Sequence, residues 1–328
     1  SLWTSSTRSS TLGCAPMTDE LPPDQFEHAL SQDAGSHVPS EAAFPRAVVF
    51  DDSRGRRLGT FFWLSVGWMG IVVLAAIAAP WLPLADPNQT GFGGRLDPPG
   101  GDAWFGTDGN GRDVFSRTLW GARISLVVGF VAIVMGIVFG GTLGILAGYY
   151  RGIADRIASF LMFAMLAFPG LVLALLLIAA LGSSLTVVSV TLGVLAIAPV
   201  GRLARASTLL YAEREFVQAA RLLGAGHGRI ILRDLLPNVF VPLSGLALLG
   251  MAITVVAEGG LAFLGLSVAD GFSWGKLIVM GSAPRTLREG PWVAMFPIGA
   301  MFLTVLALNY AGDRLRWYMD VRELAFER

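Results

Sequence analysis

Side chains that commonly bind metals or perform catalysis are scarce in this sequence. Among its 328 residues Cys14 is the only cysteine, and there are three histidines, at positions 28, 37 and 227. One cysteine excludes an intrachain disulfide and a cysteine-rich metal site. The only lysine, Lys276, follows Gly275 without the spacing or the Ser/Thr of a phosphate-binding loop. We therefore expect no catalytic residue, no metal and no cofactor bound by this chain.

Charge is also sparse, and this decides the class of protein. Only 15% of the residues are charged and 54% are hydrophobic, with a mean hydropathy of +0.61. A soluble domain of this length carries more charge, so the composition indicates a helical membrane protein in contact with lipid. Basic and acidic residues are equal at 24 each, so net charge indicates no nucleic-acid partner.

The first part of the chain is polar and rich in Ser, Pro, Asp and Glu. It has no apolar run long enough for a signal peptide. We predict that residues 1–60 form a largely disordered cytoplasmic N-terminal tail. No apolar stretch precedes Cys14, which argues against a lipoprotein cysteine, and Met17 is a candidate start residue.

Long uncharged segments predict six transmembrane helices, and hence an all-α integral membrane protein. One segment, 157–201, is long enough for two helices, with a turn at 181–184. The predicted organisation is a first transmembrane helix at 61–84, an extracytoplasmic loop at 85–121, a core of five helices at 122–314 and a cytoplasmic C-terminal tail at 315–328. The other core segments are 124–150, 239–257 and 291–312.

A charged segment interrupts the apolar core, and we call residues 202–238 the charged loop. It holds arginines at 202, 205, 214, 221, 229 and 233 and acids at 213, 215 and 234. Burying them in lipid would cost on the order of 20 kcal/mol, so the loop lies outside the bilayer. Arginine is concentrated on the side that holds both termini and the charged loop, which predicts that this side is cytoplasmic.

The charged loop itself is predicted to be helical. Phe216, Ala219, Ala220 and Leu223 recur at helical spacing and predict an amphipathic helix over 211–223. Gly224 is expected to end this helix in a left-handed conformation. A second short helix is predicted from 227 to 235, ending before Pro237.

The pattern Gln218-Ala219-Ala220, three residues, Gly224, nine residues, Asp234-Leu235-Leu236-Pro237 resembles the EAA loop of ABC importer permeases. The resemblance implies that the loop couples the permease to a cytoplasmic ATPase by seating in its cleft. Two positions depart from the family, because Gln218 replaces an acid and Asp234 an isoleucine; Glu215 is a candidate for the missing charge. The implied coupling residues are Glu215, Gln218, Ala219, Ala220, Gly224, Arg229, Asp234 and Pro237.

Further motifs narrow the resemblance to dipeptide and oligopeptide permeases of the C-subunit type. They are Phe105–Asp108 with Gly111–Arg117, Gly121–Leu126, Ala262–Leu266 with Trp274-Gly275, and Pro291-Trp292 through Asn309 to Gly312-Asp313. This implies a type I ABC importer permease fold in the bacterial plasma (inner) membrane, multi-pass in lipid. The implied partners are a homologous permease subunit, two ABC ATPase subunits that bind ATP and Mg, an extracytoplasmic peptide-binding protein and the peptide itself.

The extracytoplasmic segments offer candidates for a gate or a binding-protein contact: Asp108, Arg112, Asp113, Glu258 and Trp274. Structural readings compete with this role. Asp113 or Ser116 is favoured as the cap of the second span, and Glu258 as an anchor at the membrane boundary. The glycine-rich segment after Glu258 lies at the interface or folds back on the bundle.

Three alternatives remain at this point. The first is a permease of the same family whose substrate is nickel, glutathione or another small solute. An ion-coupled secondary transporter would need charged groups in mid-span, and a membrane-embedded enzyme would need a cluster of catalytic or metal-binding side chains. The predicted spans carry neither.

Overall fold

The computed structural model describes residues 58–326, with side chains described to residue 319. Cys14, Met17 and all but the last three residues of the predicted N-terminal tail lie outside these residues. The described part is all-helical, and its only β interaction is an isolated bridge between Thr107 and Asp113. We number its helices α1 Thr60–Ala78, α2 Val114–Tyr150, α3 Gly152–Ala167, α4 Gly170–Leu181, α5 Leu185–Tyr211, α6 Glu215–Leu222, α7 His227–Phe263, α8 Trp274–Gly281, α9 Pro284–Glu289 and α10 Trp292–Phe326.

Five of these helices, α1, α2, α5, α7 and α10, are long and apolar enough to cross a membrane. The pair α3 and α4 is apolar as well, but it bends by 83° at Phe168-Pro169. A proline has no N–H with which to continue the helical hydrogen bonding, and the break falls at Pro169. With the bent pair as one span the described helices give the predicted six, and the predicted turn before α5 is present, with Gly182 at φ +91°.

Several helix ends differ from the sequence prediction. α1 stops at Ala78 rather than near residue 84, and α2 begins ten residues before the predicted 124. α7 passes through Pro237 and continues beyond Glu258, and α10 crosses the boundary predicted at 314/315. Hydropathy locates the apolar part of a helix, whereas its ends are set by caps and neighbouring contacts.

Glycines on α2 bring it against α5. A Cβ on Gly144 would collide with the carbonyl oxygen of Gly201 and lie 2.8 Å from the Cβ of Ala204. A Cβ on Gly148 would lie 2.8 Å from the Cβ of Thr208. Small residues allow such close approach between helices in lipid.

Candidate functional site

The charged loop begins inside a helix, because α5 continues to Tyr211. Arg205 therefore projects from the last turns of α5 and pairs with Asp155 of α3, with Nη2 2.8 Å from Oδ2. Arg151, between α2 and α3, pairs with Glu213 at 2.7 Å. The loop proper is Ala212–Asn238, and its helix begins at Glu215, four residues later than predicted.

The turn after α6 confirms the predicted left-handed cap. Gly224 has φ +78°. The amide of Gly224 donates to the carbonyl of Arg221, and the amide of Ala225 to the carbonyl of Ala220, each at 3.0 Å. The second bond spans five residues and identifies a Schellman motif. A Cβ on Gly224 would meet nothing within 4 Å, so glycine is required here by backbone conformation rather than by space.

α6 rests on the bundle through a different residue than the sequence predicted. Val217 is fully buried, together with Ile230 and Leu235 of α7. Phe216, from the predicted apolar face, is 42% exposed. Spacing identifies an apolar face but does not say whether the chain's own core or a partner covers it. Here Val217 takes the place in the core.

Apolar side chains remain on the outside of the charged loop. Leu222 is 89% exposed and Leu223 is 88% exposed, next to the turn at Gly224. Ala219 is exposed as well, while Ala220 packs partly on the core. Exposed leucines at the tip of a polar loop are typical of a surface that another protein covers.

A contact that the sequence did not reveal fixes the second half of the charged loop. The Tyr149 hydroxyl at the end of α2 is 2.8 Å from His227 Nδ1 at the start of α7. The Arg221 guanidinium lies 5.5 Å from the centre of the Tyr149 ring. The end of α2 thus holds both sides of the Gly224 turn. No sequence signal joins these residues, because they are far apart in the chain.

The remaining predicted coupling residues have distinct surroundings. Gln218, which departs from the family pattern, donates from Nε2 to the Glu213 carbonyl at 3.0 Å. Glu215 is exposed in the first turn of α6, where a negative charge interacts favourably with the helix dipole and stabilises the helix. Asp234 is half-buried, and Arg229 and Pro237 are exposed.

The sequence predicts that the second helix ends before Pro237, but in the structure the helix continues through this residue. The turn at Ile230–Leu235 is a π-helix, and the α-helix resumes at Leu236 with Pro237 in its first turn. The hydrogen-bonding register changes at a π turn, which accommodates a residue without an N–H. The charged loop is therefore continuous with the helix of the next span.

Comparison with known proteins agrees with this geometry. The family described as binding-protein-dependent transport system inner membrane component matches residues 140–322. The dipeptide transport system permease protein DppC of Alkalihalophilus pseudofirmus is 38% identical over 249 residues, 76% of this chain and 81% of that protein. This chain belongs to that family of transport permeases.

Two further similarities describe the permease. The glutathione transport system permease protein GsiD of Pectobacterium atrosepticum is 36% identical over 257 residues, 76% of this chain and 85% of that protein. An inward-facing structure of the methionine ABC transporter MetNI aligns with a TM-score of 0.50 at 21% identity. The alignment covers 60% of this chain and 94% of the MetNI chain. The fold is thus that of an ABC importer permease, multi-pass in the inner membrane.

At the end of the permease opposite the charged loop, a buried ion pair organises the segment before α2. Arg117 Nη1 lies 3.1 Å from Asp108 Oδ2, and the two side chains are 2% and 9% exposed. The guanidinium stacks 3.8 Å from the centre of the Phe272 ring. Asp108 also accepts the amides of Asn110 at 2.8 Å and Arg112 at 3.0 Å. Asp108 thus makes several local contacts inside the fold.

Asp113 is the cap of α2, as predicted. Its carboxylate accepts the amides of Phe115 at 3.2 Å and Ser116 at 2.9 Å. The Ser116 hydroxyl, the other candidate cap, donates instead to the Ala85 carbonyl at 2.6 Å. The partly buried Arg112 lies beside this cap, and its proposed role as a partner contact stays a prediction.

Glu258 differs from its prediction as a boundary anchor. It lies within α7, is fully buried, and neither carboxylate oxygen has a hydrogen-bond partner among the described residues. Its Oε2 faces Gly275 at the start of α8. Glu258 and Arg117 are thus both buried near the ends of long apolar helices. The sequence prediction missed this because it ended one span before Glu258 and began the other after Arg117.

Trp274 is buried and cannot touch a partner in this conformation. It is 1% exposed, and its Nε1 donates to the Thr118 carbonyl at 2.9 Å. Its backbone amide donates to the Ser125 hydroxyl at 3.1 Å. Trp274 therefore fixes α8 against α2, and any part in a gate would require α8 to move.

The glycine-rich segment after α7 folds back on the bundle, one of the two predicted alternatives. The amide of Ala269 donates to the Ser183 carbonyl at 2.7 Å. The Lys276 ammonium donates to the carbonyls of Val268, Ala269 and Gly271 at 2.9, 3.1 and 3.0 Å. Burial lowers the pKa of Lys276, as does the nearby Arg117 charge, while Asp270 and Glu258 oppose this shift.

Proposed function

We propose that this chain is one of two transmembrane subunits of an ATP-driven importer that takes up dipeptides or oligopeptides. A homologous permease forms the other half of the pore, and an extracytoplasmic binding protein delivers the peptide. Two ABC ATPase subunits bind ATP and Mg on the cytoplasmic side, where the charged loop and both termini lie. The charged loop is the part of this chain that receives the ATPase.

The exposed leucines of the charged loop carry this proposal. Burying Leu222 and Leu223 against a partner would stabilise the complex by about 3 to 6 kcal/mol in total before the costs of association. The base beneath them is rigid, because Val217 is buried in the core and Tyr149 is bonded to His227. A rigid loop transmits a push from the ATPase into α2 and α7 rather than absorbing it.

Peptide is the substrate class that the relatives favour. A relative at 38% identity is named for dipeptide transport. The relative named for glutathione transport is 36% identical, and this supports glutathione as the second candidate. Family membership disfavours an ion-coupled secondary transporter, which would not need the charged loop. The binding protein discriminates between the two substrates.

Reconstitution of the four-subunit complex with its binding protein in proteoliposomes tests the proposal. We expect ATP-dependent uptake of a labelled dipeptide, and its loss in the double variant Leu222→Ser/Leu223→Ser together with loss of bound ATPase. Leu287→Ser is the matched control, since Leu287 is an exposed leucine on α9 at 52%. Uptake that survives the double variant at the wild-type rate, or that proceeds without ATP, would refute the proposed mechanism.

A further inference from the structure

An open groove lies at the end of the bundle opposite the charged loop. It is bounded by the segment that follows α1, the first turns of α2, the start of α5 and the segment that folds back before α8. Its volume of about 720 Å³ falls in the range of about 300 to 1,000 Å³ typical of small-molecule sites. Its polar lining includes Asp86, Trp120, Arg123 and Asp270.

The charged groups of the groove are not paired with one another. Arg123 has no acid within 4.0 Å among the described residues, and its described contact is with Trp120, 5.9 Å from the ring centre. Asp86 accepts the amide of Asn88 at 2.8 Å, a bond within its own turn. Asp270 is exposed, and the ammonium nearest to it, that of Lys276, is held by three backbone carbonyls.

Unpaired charges of both signs in one groove match a zwitterion. A guanidinium binds a carboxylate through charge-assisted hydrogen bonds, and carboxylates bind a primary ammonium in the same way. Trp120 and Phe272 add aromatic surface, and Ile124 and Val127 add aliphatic surface, against which a side chain can pack. A free peptide carries both charges and an apolar side chain in one molecule.

We propose that this groove is a peptide subsite, in which Arg123 binds the C-terminal carboxylate and Asp270, with Asp86, binds the N-terminal ammonium. The inference rests on the proposed function, since the groove lies at the end where a delivered peptide enters. It adds a substrate contact within the permease itself, ahead of the pore. A zwitterionic phospholipid headgroup shares this chemistry, and the experiment separates the two.

Photocrosslinking in the assembled complex tests the subsite. A photoreactive phenylalanine analogue replaces Val127, which lines the groove, or Phe130, which is exposed on the same helix outside it. The complex is placed in nanodiscs of phosphatidylglycerol, without zwitterionic lipid, and given a labelled dipeptide with free, N-acetylated or C-amidated ends. We expect labelling at position 127 but not at 130, and about three- to tenfold weaker labelling when either end is capped.

Variants assign each end of the peptide. Arg123→Gln should abolish the preference for a free carboxylate, and Asp270→Asn the preference for a free ammonium, each leaving the other preference intact. Arg285→Gln is the control, because Arg285 is exposed and pairs with Glu289 on α9, outside the groove. If a variant fails to fold, the comparison of capped and free peptides on the complex with Arg123 and Asp270 intact still tests the subsite.

The outcomes are separable. Equal labelling by free and capped peptides, or labelling that phosphatidylethanolamine displaces and peptide does not, overturns the subsite, and the second result identifies a lipid site. Uptake is measured on the same complex reconstituted in proteoliposomes. A complex that imports dipeptide without groove labelling refutes the subsite alone, whereas a complex that imports no peptide refutes the proposed function.

Discussion

Gly224 offers a quantitative test of how the charged loop works. Its φ of +78° lies in the left-handed region, where an L-residue costs about 1 to 2 kcal/mol. Because a Cβ there would meet nothing within 4 Å, the cost in this chain comes from the backbone and not from collision. Asn tolerates this region better than Ala, and a β-branched residue tolerates it worst.

The prediction is an order of effects along the series Gly224→Asn, Gly224→Ala and Gly224→Val. A strain of 1 to 2 kcal/mol lowers the equilibrium constant for forming the docking conformation by about 5- to 30-fold. We expect the apparent Kd for the ATPase subunits to rise by up to that factor in the Ala variant, less in the Asn variant and more in the Val variant. Substrate-stimulated ATPase activity should fall in the same order.

The assay is ATPase binding to the permease pair in nanodiscs, with stimulated hydrolysis as the second readout. Gly228→Ala is the control, since Gly228 also has open space around its Cβ but does not have a positive φ. If the Asn variant binds more weakly than the Ala variant, side-chain size and not backbone strain decides, and the reasoning is wrong. Wild-type coupling in the Val variant, with the complex intact, would refute it altogether.

Three further contacts can be tested by substitution. Tyr149→Phe removes the hydroxyl bond to α7 and should increase hydrogen exchange in the first turns of α7 by an amount equivalent to about 0.5 to 1.5 kcal/mol; unchanged exchange contradicts it. Arg117→Met leaves a buried carboxylate unpaired and should destabilise the permease by about 3 to 5 kcal/mol in thermal unfolding, whereas Arg285→Gln at an exposed pair should cost less than about 1 kcal/mol. Gly144→Ala should cost about 1 to 3 kcal/mol by forcing α2 from α5, while Gly67→Ala, with open space around it, should not destabilise.

The left-handed cap and the charged loop could be predicted because their signals are local. Gly224 follows an amphipathic stretch, and a glycine at that place ends a helix whatever surrounds it. Asp113 precedes an apolar run by one residue and caps it for the same reason. Such features depend on a few consecutive residues, so they can be read without knowing which helices become neighbours.

The contacts that position the site depend on residues far apart in the chain. Val217 rather than Phe216 enters the core because Ile230 and Leu235 lie beneath it. Tyr149 meets His227 only because α2 ends beside the start of α7. Composition and periodicity cannot rank such pairings.

The surroundings of Glu258, at the other end of the molecule, could not be predicted from the sequence for the same reason. The sequence placed it at a membrane boundary because an acid is cheapest where water reaches it. The packing of α8 on α7 buries it instead, beside Gly275. A glycine at 275 admits this close approach, but the sequence does not say which helix makes it.

By itself the sequence determined that this is a helical membrane protein with a charged loop too costly to bury in lipid, because these properties follow from composition and from transfer free energies. The tertiary structure decided which apolar side chains the loop buries and which it leaves exposed. It also decided that Asp108 and Arg117 pair inside the fold, and that Arg123 and Asp270 share a groove unpaired. Those outcomes depend on how helices approach one another, and close packing sets that only when the whole chain has folded.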